Sequence, residues 1–196
     1  MAAAGAGTAF SAIKMPEIDL PERTDESGNR VILENDIDPV LLKRFIPRPK
    51  SIQCNDNREV VFDNQLTINI ELKNRDDHAR DKTQGLFKQY FNITPTVKVI
   101  QKNDAPEREA YKIKASGSLV TLSASNFTGV RHACNSLRQL AEIHSETGEF
   151  SHYSIPETEI DDAPAMAFRG LHLCWLPETE AIQVEQYIRW ASYYKF

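Results

Sequence analysis

Few residues in this chain of 196 have types and spacings that do chemistry. Asp76-Asp77 and Asp161-Asp162 are carboxylate pairs in sequence only, because adjacent side chains diverge on a helix or a strand. Asp76-Asp77 reads instead as a helix start, where negative charge is favoured. Asp162 reads as the organiser of the turn before Pro164. His132, His144 and His152 have no metal-ligand spacing with any carboxylate pair and read as core or surface histidines. Cys54, Cys134 and Cys174 form no C-x-x-C pair, so neither a zinc site nor a redox motif is indicated, and one or two of them read as buried free thiols. There is no Gly-rich phosphate loop, no Ser/His/Asp set and no basic-aromatic interleaving. No metal and no cofactor is expected. Trp175, Tyr187 and Trp190 could stack on a sugar. Tyr187 and Trp190, however, sit at i, i+3 with Ile188 beside them, which reads as helix packing. Trp175 has the better claim to line a site. Asn92-Ile93-Thr94 and Asn126-Phe127-Thr128 fit the N-glycosylation pattern.

Composition bounds the classes. Hydrophobic residues make up 41% and charged residues 26%, as in a globular protein. The formal net charge of −5 argues against a nucleic-acid partner, which calls for a basic patch. No run approaches the roughly 20 apolar residues that span a bilayer. The small-residue start, Met1 to Ala12, has two open readings: the end of a signal peptide cleaved near Ala9-Phe10-Ser11, or a flexible tail. The first would make the protein secreted or periplasmic.

These residues must be positioned by folded elements. Residues 1–44 read as tail and linker, with a short helix over Asn35 to Phe45. Residues 45–164 read as one α+β domain. Ile46–Ile52 reads as extended, and strands are expected at Val60–Phe62, Leu66–Leu72, Thr96–Ile100, Ala110–Lys114, Leu119–Ala124 and Ser154–Ile160. Helices are expected at Asp76–Phe91 and from an Asn126 cap to about His144. Val130, Ala133, Cys134, Leu137, Leu140 and Ala141 give the second helix one buried face. The result is an antiparallel-rich sheet with two helices on one face.

Residues 165–196 read as something different. Phe168 to Trp175 is a short apolar strand, and Glu178 to Tyr194 is an amphipathic helix. One βα unit cannot bury its own faces, so the chain reads as the truncated start of a longer repeat.

Taken in order, Tyr111-x-Ile113, Val120-x-Leu122-x-Ala124, Gly129, Ser136 to Leu140, Ile155-Pro156, Ile160-x-Asp162-x-Pro164 and Arg169 to Leu173 carry a resemblance. Ile46-Pro47-x-Pro49-Lys50 adds to it. The chain resembles the N-terminal accessory domain of glycoside hydrolase family 20, the β-N-acetylhexosaminidases, running into the first βα unit of their (β/α)₈ barrel. The resemblance implies removal of terminal N-acetylhexosamines from carbohydrate by a substrate-assisted mechanism, with an Asp-Glu pair far along the barrel and the rest of the barrel as a necessary partner. It implies that Arg169 binds hydroxyls of the terminal sugar, as a guanidinium with several fixed donors can. The competing role for Arg169 is an anchor between domains through Asp161 or Asp162. Period-two alternation sets Arg169 on the side of Leu171 and Leu173, early in the strand. Cys174 and Pro177 depart from the family pattern. They leave open a related barrel carrying the same domain, α-glucuronidase-like or O-GlcNAcase-like. The remaining alternative is a free-standing sugar-binding or interaction module. Exposure of Leu171, Leu173, Ile182 and Ile188 would speak against that module.

Overall fold

The structure, a computed structural model, describes residues 45–196 apart from Glu107, Ala167 and 173–179. The expected helix at 35–45 and the linker before it lie outside the described residues, as do Leu173, Cys174, Trp175 and Pro177.

The sheet contains β1 (Ser51–Phe62), β2 (Thr67–Leu72), β3 (Thr96–Gln101), β4 (Tyr111–Ser116), β5 (Leu119–Ala124), β6 (Glu142–Glu146) and β7 (Glu149–Asp162). Helix α1 (Ala79–Phe91) joins β2 to β3, and α2 (Phe127–Leu140) follows β5. A third helix, α3 (Ala181–Tyr193), stands near the C-terminus. The strand order is β1-β7-β4-β5-β2-β3, with β6 on the free part of β7. Ladders β1–β7, β4–β7, β4–β5 and β6–β7 are antiparallel. Strand β2 runs parallel to both β3 and β5, and the crossover from β2 to β3 passes through α1. This is the α+β, antiparallel-rich sheet that the alternation predicts.

Alternation also sets the covered face. Ile68, Ile70 and Leu72 of β2, Tyr111, Ile113 and Ala115 of β4, and Val120, Leu122 and Ala124 of β5 point into one core. Phe87 and Phe91 of α1 close it against Phe62, and Val130, Ala133, Cys134 and Leu137 of α2 close it elsewhere. The other face carries cross-strand ion pairs, such as Lys112–Asp161 at 2.8 Å and Lys102–Glu71 at 2.9 Å.

Three expectations are corrected. Strand β1 is one piece from Ser51 to Phe62, because β7 pairs with its whole length across a bulge between Asn55 and Glu59. Helix α2 stops at Leu140 rather than His144. Glu142–Glu146 turns back at Thr147 (φ 52°) and Gly148 (φ 86°) to form a hairpin with β7. Two consecutive positive φ values make the tight turn that suits twisted strands. Finally, Phe168–His172 form no strand, since no described strand runs beside them to share hydrogen bonds. The helix expected at 178–194 is present, with Glu180 and Gln183 closing a capping box.

Candidate functional site

Helix α2 organises the site. Asn126 caps it by accepting a hydrogen bond from the Gly129 backbone N–H at 3.3 Å. Gly129 allows the first turn to sit against the loop before β4. A Cβ there would lie 2.8 Å from the Ala110 carbonyl oxygen and 2.8 Å from the Ala124 Cβ. The periodic apolar residues face the sheet as expected. A second, polar stripe is also buried: His132, Asn135, Ser136 and Gln139. That stripe receives the chain's entry and its C-terminal segment.

Gln139 accepts from the Ile46 N–H at 3.1 Å and donates to the Ile46 and Tyr193 carbonyls at 3.0 and 3.3 Å. Asn135 donates to the Ser192 carbonyl at 2.6 Å and accepts from the Tyr90 hydroxyl at 2.7 Å. The Arg138 guanidinium lies over the Tyr90 and Tyr193 rings, at 4.8 and 5.0 Å from their centroids.

Beyond them lies a buried ionic node. Lys195 Nζ donates to the Tyr111 hydroxyl at 2.8 Å and to Asp162 Oδ2 at 3.2 Å. Tyr111 donates to Asp162 Oδ2 at 2.7 Å and sits 2.6 Å from Ser136 Oγ. The other Asp162 oxygen accepts from the Ala163 N–H at 2.9 Å and the Lys50 N–H at 3.3 Å. Asp162 does organise the turn before Pro164, and it also anchors a cation. The Lys195 and Asp162 side chains are only 6% and 9% exposed, so every lone pair here needs a protein partner. Burial lowers the Lys195 pKa, and Asp162 opposes that shift. Burial, reinforced by Asp162, holds the Tyr111 hydroxyl well above its usual range, so it stays a neutral donor.

Arg169 lies beside this node. Its Nε donates to the Lys195 carbonyl at 2.8 Å, Nη1 donates to the Met166 carbonyl at 3.1 Å, and Nη2 pairs with Glu109 Oε2. It therefore bridges to the α+β domain through Glu109, not through Asp161 or Asp162. Burial would raise the Glu109 pKa, but Arg169 outweighs it and holds the carboxyl below its ordinary value. Behind Glu109 lies His132, 3.6 Å from the same oxygen, with neither ring nitrogen hydrogen-bonded. Burial pushes its pKa down to about 4, so it is neutral at pH 7.

Other sequence candidates fall elsewhere. His144 and His152 face each other across β6 and β7, stacked with centroids 4.6 Å apart. Among the described residues no group of three or more His, Cys, Asp or Glu side chains could hold a metal. Cys134 is fully buried, and its thiol is pushed up to about 12. Asp76 accepts from the His78 N–H and from Lys82 at the start of α1, as a helix-start carboxylate should. An open depression of about 510 Å³ lies there, bounded by Arg75, Asp76, Asp77, Arg80 and Asp81. Tyr187 and Trp190 meet edge to face at 6.0 Å on the outer surface of α3, packed on no described strand. Leu171, Ile182 and Ile188 are all more than half exposed. Asn126 is occupied as a cap, whereas Asn92 is exposed at the αL end of α1. The polar stripe on α2 is the feature that sequence reading missed. Its signal was present: Asn135, Ser136 and Gln139 are uncharged polar residues set beside the apolar face of Val130, Ala133, Leu137 and Leu140.

Three comparisons place this geometry among known proteins. The family model described as glycosyl hydrolase family 20, domain 2, matches residues 43–163. No curated protein matches the sequence. Among solved structures, a family-20 exo-β-N-acetylglucosaminidase from Vibrio harveyi, solved with N-acetylglucosamine, is similar at TM-score 0.56 and 21% identity over 79% of this chain and 24% of that one. A chitobiase from Flavobacterium johnsoniae is similar at TM-score 0.58 and 17% identity, over 78% and 26%. A family-20 β-N-acetylhexosaminidase from Streptomyces coelicolor is similar at TM-score 0.57 and 20% identity, over 79% and 33%. The chain thus spans about a quarter to a third of the length of these proteins. At these identities the likeness concerns the fold.

Proposed function

The chain belongs to glycosyl hydrolase family 20, and from that membership we propose that it forms the accessory domain and barrel entry of a β-N-acetylhexosaminidase. The observation that carries this reading is the family match over residues 43–163, on a fold shared with enzymes whose names specify N-acetylglucosamine or N-acetylhexosamine. The reaction is removal of terminal N-acetylhexosamines from glycans. In the substrate-assisted route, the acetamide oxygen of the sugar attacks its own anomeric carbon. A Glu protonates the leaving oxygen, and a neighbouring Asp orients the acetamide. That Asp-Glu pair belongs to the barrel rather than to the domain folded here.

Within this chain, Arg169 is the residue we assign to the sugar. Among the described residues, protein oxygens hold three of its five N–H donors, which leaves two to offer adjacent hydroxyls. Trp175 is assigned a role in lining the sugar site. Exposure of Leu171, Ile182 and Ile188 favours an entry segment that packs against more barrel over a self-contained binding module. The test is hydrolysis of aryl N-acetylhexosaminides by the enzyme that carries this domain with a whole barrel. Turnover is expected there, and none from residues 1–196 alone. Activity on an aryl glucuronide instead would overturn the substrate class.

A further inference from the structure

We propose that Glu109, a residue of the accessory domain, is a positioning residue for Arg169 and sets the direction in which that guanidinium faces the sugar; this rests on the sugar role of Arg169 proposed above. Arg169 lies outside the α+β domain, on the segment leading to the barrel. Its side chain is nevertheless only 17% exposed, and its charged partner among the described residues is Glu109. Two of its other bonds are to main-chain carbonyls, those of Met166 and Lys195. Carbonyls fix the distance of a guanidinium, but they do not neutralise its charge. A carboxylate at Nη2 does both, and it leaves the remaining N–H groups in a fixed plane.

Glu109 is itself held. The backbone of Glu109 and Ala110 packs against α2 at Gly129, where no Cβ intervenes. The imidazole of His132 backs the carboxylate at 3.6 Å, and its nitrogens have no other polar partner. The Arg169 Nε acceptor is equally constrained. It is the carbonyl of Lys195, whose ammonium is locked between Tyr111 and Asp162. The accessory domain therefore holds the arginine directly through Glu109 and indirectly through Lys195, whose ammonium Tyr111 and Asp162 fix. In this arrangement a domain without catalytic groups acts on substrate binding through the orientation of one side chain.

Two measurements test this. The first uses the 196-residue chain and nitrogen NMR of its arginines. Wild-type Arg169 should show resolved, slowly rotating Nη groups, and Glu109→Gln should average them. Freely rotating Nη groups in the wild type would overturn the positioning role and leave the sugar role standing. The second uses the enzyme with its whole barrel and an aryl N-acetylhexosaminide. Glu109→Gln is expected to lower kcat/KM about ten-fold, mainly through KM, at an unchanged unfolding midpoint, with partial rescue by Glu109→Asp. An unchanged kcat/KM in Glu109→Gln, while Arg169→Lys loses it, would overturn the inference alone. Unchanged values in both variants would overturn the sugar role too.

Discussion

Asp162→Asn probes the node that joins the C-terminal segment to the sheet. The substitution keeps the side-chain shape. Its Oδ1 can still accept from the Ala163 and Lys50 N–H groups. Its amide nitrogen then replaces Oδ2, so the Tyr111 hydroxyl and the Lys195 ammonium both lose their carboxylate acceptor, and the ammonium, which cannot accept, faces another donor. Lys195 is left as a buried cation with no counter-charge among its hydrogen-bond partners. Breaking a buried pair in this way costs about 3–5 kcal/mol. At about 2–4 °C per kcal/mol for a domain of this size, the unfolding midpoint should fall by about 6–20 °C at pH 7. The pH dependence supplies a second check. Burial already lowers the folded pKa of Lys195, and Asp162 is what opposes that shift. Without Asp162 the folded pKa drops further below the unfolded value of about 10.4. The unfolded chain then binds more protons between those two pKa values, so stability of the variant rises with pH through that window. The deficit at pH 7 should shrink by pH 10. Asp162→Asn combined with Lys195→Met should recover most of the loss, because it removes the buried cation that the single variant leaves uncompensated. Urea unfolding followed by circular dichroism measures all of these. A loss below about 1 kcal/mol at pH 7, or no recovery in the double variant, would show that Lys195 is not buried against Asp162 in solution.

Two further outcomes are expected. His132 titrates at about 4 when folded and near 6.5 when unfolded, so its contribution is complete above pH 6.5 and is lost as pH falls toward 4. That loss is about 3 kcal/mol, and His132→Leu should remove it from the acid unfolding curve while leaving the carboxylate part, Glu109 included. Gly129→Ala sets a Cβ 2.8 Å from the Ala110 carbonyl oxygen and 2.8 Å from the Ala124 Cβ. Neither obstacle is a flexible side-chain end, so a loss of about 1–3 kcal/mol in urea unfolding is expected, and an unchanged midpoint would refute the close approach.

The sequence by itself determined which residues of β2, β5 and α2 face the core. The alternation in Leu66–Leu72 and Leu119–Ala124, and the three-to-four spacing from Val130 to Leu140, are local records of burial, and each survives in the fold. Family membership was legible for the same reason, since the ordered motifs from Tyr111 to Pro164 are mostly core and turn positions. Tertiary structure alone decided the rest. Only pairing with β7 makes β1 continuous and turns Glu142–Glu146 from helix end into strand, because a strand forms where a partner accepts its hydrogen bonds. Only packing brings Lys195 to Tyr111, 84 residues away, and Arg169 to Glu109, 60 away. Charges so far apart in sequence leave no periodic signal. Their pairing depends on desolvation, which exists only once the surrounding chain has folded over them.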